Sequence, residues 1–150
     1  MSKKILFVCT GNTCRSPMAE VLLRKIAGSK ELEISSAGIS AHPGIPASYE
    51  AVKAMLEEGI DISAHRSRPL DGFMLEEADA VYVMTESHKK QITEWFKNLA
   101  HKVHLIREYD TVKDDEYYPD VPDPITGDAG DYRLIKDMLK RSIIELEREL

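Results

Sequence analysis

Apolar positions follow two periods along this chain, and the two alternate from end to end. Ile5-Leu6-Phe7-Val8 is a continuous apolar run, the pattern of a strand buried on both faces. Met18, Val21, Leu22 and Ile26 then recur at helical spacing. Pro17 stands ahead of them, where a first helical turn tolerates proline, and Gly28 stops the helix. Leu32 to Gly38 reads as a second strand ending in a turn. After a loop from Ile39 to Pro46, built around Pro43-Gly44, Val52, Met55 and Leu56 mark one face of a helix that ends at Gly59. Residues 60–68 form a polar connection carrying His65, Arg66 and Arg68, where Arg68 is expected to pair with a carboxylate. Leu70 to Glu77 predicts a short helix with Asp71 as its cap, and Ala78 to Met84 a third strand. Thr85 or Ser87 can cap the next helix, whose buried stripe is expected to be Ile92, Trp95 and Phe96. Val103 to Ile106 is a short fourth strand. The stretch from Arg107 to Gly130 is irregular, and loops this long in a compact domain are usually functional or disordered. Tyr132, Ile135, Leu139, Ile143 and Leu146 mark a C-terminal helix of several turns.

Strand and helix alternate with no repeat and no linker, which predicts a doubly wound α/β domain. Its four-stranded parallel sheet carries helices on both faces and right-handed crossovers. In such folds ligands bind beyond the carboxyl ends of the strands, at the switch point, and the loop after the first strand leaves from such an end. A length of 150 residues suits one domain spanning 1–150. No apolar run approaches the length of a membrane helix, and the apolar stretch behind Lys3-Lys4 is too short for a signal peptide. The cytoplasm is therefore the expected location, with no membrane partner. A net charge of −6 without a basic stripe argues against a nucleic-acid partner. Two cysteines make no disulfide framework, and reduced thiols suit the cytosol.

Both cysteines sit in the loop Cys9-Thr10-Gly11-Asn12-Thr13-Cys14-Arg15-Ser16, and its composition fits the holding of a phosphoryl group against a thiolate. Backbone N–H groups at a helix start favour an anion. A free cysteine is only a few per cent thiolate at neutral pH, whereas a helix N-terminus and a neighbouring arginine favour the charged form. Arg15 offers a planar fork that matches two phosphate oxygens. Gly11 allows unusual backbone angles and Asn12 tolerates the left-handed region, so the loop can curl its N–H groups inward. Ser16 can donate its hydroxyl to the Cys9 sulfur. A leaving group needs a proton, and the long loop offers Asp110, Asp114, Asp115, Asp120, Asp123, Asp128 and Asp131, among which composition does not choose. The five histidines lack metal-ligand spacing, so neither a metal nor another cofactor is expected. Nucleotide sites of the Gly-Lys-Ser/Thr or G-x-G-x-x-G kind are missing.

Cys-x5-Arg followed by Ser16-Pro17 near the start of a short chain resembles the low-molecular-weight protein tyrosine phosphatase family. The Ser36-Ala37-Gly38 strand ending and the His65-x-x-Arg68 stretch are similar to it too, and the resemblance covers nearly the whole chain. It implies Cys9 as nucleophile, Arg15 as binder of the phosphoryl oxygens, and the loop residues Thr10 to Cys14 and Ser16 as the phosphate cradle. It also implies that the general acid is the aspartate of an Asp-Pro pair before the last helix, here Asp123-Pro124. Phosphorylated proteins or peptides would be the substrates, and inorganic phosphate the product of a phosphocysteine intermediate. The resemblance further implies that Cys14 can pair reversibly with Cys9 under oxidation.

Two positions bear on substrate. Family members acting on phosphotyrosine usually carry a bulky aliphatic residue before the second cysteine, and aromatic residues after Asp-Pro; this chain has Thr13 and Ile125-Thr126. Losing a ring partner forfeits roughly 0.5–1.5 kcal/mol. A threonine hydroxyl can bond a guanidinium N–H, and Thr13 resembles the bacterial protein-arginine phosphatase branch. Phosphoarginine is accordingly favoured over phosphotyrosine, with Tyr117 or Tyr118 available as an aromatic wall. Arsenate reductases that share the loop need further cysteines, and none follows Cys14. A phosphate-binding module without catalysis is the remaining alternative.

Overall fold

In the computed structural model, which describes residues 2–124 and 126–150, four strands form one parallel sheet in the order β2-β1-β3-β4. The strands are β1 (Lys3–Cys9), β2 (Leu32–Gly38), β3 (Ala80–Val83) and β4 (Val103–Leu105). The helices are α1 (Arg15–Ala27), α2 (Tyr49–Glu57), α3 (Gly72–Glu77), α4 (Glu86–Trp95) and α5 (Ala129–Glu147). Two 3-10 turns flank β4, at Lys97–Lys102 and Ile106–Tyr109.

The unbroken apolar run of β1 follows from its central place. Ile5, Phe7 and Cys9 join a core with Met18 and Leu22 of α1, Met55 of α2 and Leu139 of α5. Leu6 and Val8 point the other way, into a second core with Leu75, Val81, Val83 and Ile92. Each such side chain fully buried stabilises the fold by roughly 1.5–3 kcal/mol. The helices start at side-chain caps: Ser48 for α2, Asp71 for α3 and Thr85 for α4, while Asp128 and Asp131 form a reciprocal capping box on α5. Helix α1 is different, for no side chain caps its start at Cys14. With β2 on one side of β1 and β3 on the other, the connections diverge at the carboxyl end of β1, where the Cys9 loop begins.

Some expectations need correction. Trp95 is 57% exposed, because α4 turns only Ile92 and His88 fully inward and ends at Trp95. Leu56 is 55% exposed, since the buried face of α2 is centred on Ala51, Ala54 and Met55, one residue and about 100° from the face chosen. The third strand is shorter than read, because Ala78 and Asp79 lead into it outside the ladder. Arg68 bonds no carboxylate in its Nε contact: it donates to the Ser36 carbonyl at 2.9 Å. Ile125, part of the substrate comparison, lies outside the described residues.

The long stretch after β4 is held by Arg107, whose side chain is fully buried. Its guanidinium donates to Asp110 Oδ2 (2.9 Å), to both oxygens of Asp115 (3.0 and 2.6 Å) and to the carbonyls of Val112 and Asp120 (2.8 and 3.0 Å). That contact holds the Asp115 carboxyl down at about 2. Arg141 of α5 donates to the far oxygen of Asp110, and the Tyr118 ring lies over the Arg107 guanidinium, 5.4 Å from ring centre to Cζ. A buried, forked cation thus gathers the loop.

Candidate active site

Cys9 ends β1 and is buried, and the chain after it turns back over the sulfur. The turn is made by Asn12, whose φ of 57° lies in the left-handed region. This backbone sends the Asn12 N–H to Cys9 Sγ at 3.3 Å. The buried Asn12 side chain locks the turn: Nδ2 donates to Ser16 Oγ (2.8 Å) and Ser36 Oγ (2.9 Å), and Oδ1 accepts from the Arg68 N–H (3.0 Å). His65 Nε2 donates to the Asn12 carbonyl at 2.8 Å. Gly11, expected to supply the unusual angles, has an ordinary negative φ and room for a Cβ, 3.6 Å from Thr13 Oγ1. The glycine this loop requires is Gly38, at the end of β2. A Cβ there would sit 2.6 Å from the Thr10 carbonyl and 2.9 Å from the Asn12 nitrogen.

Ser16 Oγ lies 3.0 Å from Cys9 Sγ. Asn12 Nδ2 takes one acceptor position of that oxygen, and the Ser16 proton has two acceptors in reach, Cys9 Sγ and the Ala37 carbonyl at 3.5 Å. Turned to the nearer sulfur, it joins the Asn12 N–H on Cys9, an arrangement that stabilises negative charge there. Arg15 opens α1 and is 3% exposed. Its Nη1 donates to the Val121 carbonyl (3.0 Å) and its Nη2 to Thr10 Oγ1 (3.4 Å). Val121 is itself fixed by its N–H on the Met84 carbonyl at the end of β3 (2.8 Å). Asp123, two residues on, brings its carboxylate Oδ2 to 3.7 Å from Arg15 Nη2 and keeps its side chain 43% exposed. The long loop therefore returns to the Cys9 loop and sets a carboxylate beside the guanidinium at the open side.

The remaining loop residues divide by contact. Thr10 is also 2.9 Å from His88 Nε2. Burial first, then the positive charge of Arg15, push the His88 imidazole down to about 4, against a smaller opposite pull from Asp123. Cys14 Sγ donates to Ser48 Oγ (3.4 Å) and lies 3.3 Å from the Tyr132 hydroxyl, between α2 and α5. Burial and that contact push the Tyr132 hydroxyl up to about 12. Both cysteines are free thiols. Thr13 is half-buried, with its carbonyl taken by the Ser48 N–H. Tyr118 is stacked on Arg107, and Tyr117 is exposed.

The sequence brought Cys9, Asn12, Arg15, Ser16 and Asp123 forward, and they meet here. The Val121 carbonyl, Gly38, Ser36, His88 and Arg107 were not singled out; only the Ser-Ala-Gly strand ending hinted at two of them. A cleft of about 630 Å³ lies elsewhere, at the β2 edge beside Phe73 and Met74, and none of residues 9–16 lines it. Among the described residues no cluster of His, Cys, Asp or Glu is arranged to hold a metal, and no helix is long and apolar enough to cross a membrane.

An uncapped helix start, a loop closed around a buried cysteine, and an arginine beside an aspartate are the groups that phosphoryl transfer to sulfur would need. The chain belongs to the low molecular weight phosphotyrosine protein phosphatase family, whose model matches residues 4–150, and is a cysteine-dependent protein phosphatase. It is 40% identical to a protein-arginine-phosphatase of Bacillus subtilis, a match that covers 97% of this chain and 95% of that one. It is also similar to a solved YwlE arginine phosphatase, a cysteine-to-serine variant with its active-site serine phosphorylated. That structure is 38% identical with a TM-score of 0.88, and 98% of this chain and 95% of that one are covered. A solved low molecular weight protein tyrosine phosphatase from T. tengcongensis is 39% identical with a TM-score of 0.90, over 99% of this chain and 100% of that one.

Proposed function

We propose that this phosphatase removes phosphate from phosphoarginine side chains of proteins, through a phosphocysteine on Cys9. Thr13 carries the choice of substrate: a half-buried residue of the phosphate loop presents a hydroxyl where an aliphatic side chain would favour an aromatic ring. A hydroxyl satisfies a guanidine N–H that an apolar wall would leave without a partner, at a cost of about 1–3 kcal/mol. The nearly full-length likeness to a protein-arginine-phosphatase supports the same reading.

Cys9 thiolate attacks phosphorus in line. The loop N–H groups and the Arg15 fork hold the equatorial oxygens and take up their growing charge. The P–N bond breaks with its electron pair on nitrogen, and Asp123 gives that nitrogen a proton, so arginine leaves as guanidinium. In the second step the Asp123 carboxylate takes a proton from water, whose oxygen attacks phosphorus. The S–P bond breaks, thiolate is restored and inorganic phosphate leaves. The position of Asp123 beside Arg15, on the exposed side of the loop, supports that dual role. The acid step is general acid catalysis of the usual kind, contributing about 10²–10⁴-fold.

Matched phosphoarginine and phosphotyrosine peptides test the substrate. The wild type is expected to show a kcat/KM at least about tenfold higher for phosphoarginine, the worth of one hydrogen bond to a charged group. Thr13→Ile is expected to reverse the order. Equal or opposite preference in the wild type would overturn the substrate assignment while leaving the phosphatase reading intact.

A further inference from the structure

Arg15 is held on two sides. Nη1 rests on the Val121 carbonyl, a backbone group fixed by the sheet, and Nη2 rests on the Thr10 hydroxyl, a rotor on an exposed residue. A rotor fixes nothing unless something fixes it, and the group 2.9 Å from Thr10 Oγ1 is His88 Nε2. His88 is 5% exposed, and the α4 cap sets its backbone, for its N–H donates to Thr85 Oγ1 at 3.1 Å. Its other ring nitrogen, Nδ1, is buried and has no hydrogen-bond partner among the described residues. A buried polar atom without a partner is costly, and a plain structural role is met at least as well by an apolar ring.

We infer that His88 is a positioning residue for the phosphoryl clamp: its imidazole fixes the Thr10 hydroxyl, and that hydroxyl fixes one edge of the Arg15 guanidinium. In either neutral tautomer the Thr10 oxygen keeps a lone pair for Arg15 Nη2. An imidazolium would instead set a second positive charge beside Arg15. The depression of the His88 imidazole by burial and by Arg15 agrees with a ring that is neutral near pH 7. The chain of contacts crosses from α4 through the loop to α1. The inference rests on the phosphoryl-binding role given to Arg15 above, and not on the choice of phosphoarginine.

A double-mutant cycle on kcat with p-nitrophenyl phosphate tests it, using Thr10→Val, His88→Leu and the pair. Each single substitution is expected to lower kcat by about 10- to 100-fold, the range for a hydrogen bond to a charged group. KM is expected to change less than about threefold, because the loop N–H groups still bind the phosphoryl group in the ground state. The double variant should be no slower than the slower single one. His88→Gln, which returns a polar group near the Nε2 position, should recover most of the loss, and Thr10→Ser should do so from the other end. Thermal melts accompany each variant, and Thr10→Val, which leaves the buried ring in place, keeps the test valid if His88→Leu folds poorly. Effects that multiply in the double variant, or a kcat unchanged in Thr10→Val, would overturn the inference. If Arg15→Lys itself left kcat intact, the clamp reading would fail and take this one with it. Loss in Arg15→Lys together with multiplying effects would sink the inference alone.

Discussion

Cys9→Ser is expected to lower kcat on any phosphorylated substrate by at least about 10⁴-fold, the scale on which removing a covalent nucleophile acts. The loop should survive the change. A serine oxygen at this position still accepts from the Asn12 N–H and still meets Ser16 Oγ, the two contacts that hold the sulfur. Inorganic phosphate should therefore bind within a few-fold of wild type, as isothermal calorimetry would read, because Arg15 and the loop N–H groups are untouched. A hydroxyl in this setting remains largely un-ionised, whereas the thiolate is the nucleophile. The binding-module alternative makes the opposite forecast: it requires Cys9→Ser to keep full function. Lost turnover with retained phosphate affinity separates the two.

Arg15→Lys is expected to lower kcat by about 10³-fold or more, the range over which an arginine stabilises charge in phosphoryl transfer. The charge is conserved, so the loss measures geometry. Lysine presents a point charge and cannot hold two equatorial oxygens in a planar fork. Nor can one ammonium replace the set of contacts that Arg15 makes to Val121, Thr10 and Asp123, which approach from different directions. KM should rise less than kcat falls, since the oxygens gain negative charge mainly in the transition state. Because Arg15 is 3% exposed, some stability is lost as well, about 1–3 kcal/mol, and a denaturation curve would show it separately from the kinetic effect.

Legibility followed distance along the chain. Cys9 to Arg15 is one contiguous strand-loop-helix, so residue types, spacing and a helix start can be read together. Asp123 lies more than a hundred residues on, and composition alone left it among seven aspartates. Its place became readable only through the Asp-Pro resemblance. The Val121 carbonyl was illegible in principle, since every residue carries one and the side chain says nothing about it. Gly38 shows its purpose only when the Thr10 carbonyl is seen packed on its Cα, and Gly11 shows that a glycine in a tight loop is not always there for its angles. Arg107 looked like the start of an unstructured stretch, because what organises that stretch is a buried cation with carboxylates three and eight residues ahead, and no period marks such an arrangement. Trp95 and Leu56 failed for a simpler reason: helical spacing says that a face exists, and the short helices α2 and α4 leave its rotation poorly defined.

Rapid quenching of the wild-type enzyme during turnover of a phosphoarginine peptide, followed by peptide mass spectrometry, tests the central claim most directly. The account predicts one phosphoryl group, transiently present and located on Cys9. Turnover at the same rate with the phosphoryl group on a histidine, or with Cys9 never modified at any time point, would contradict it.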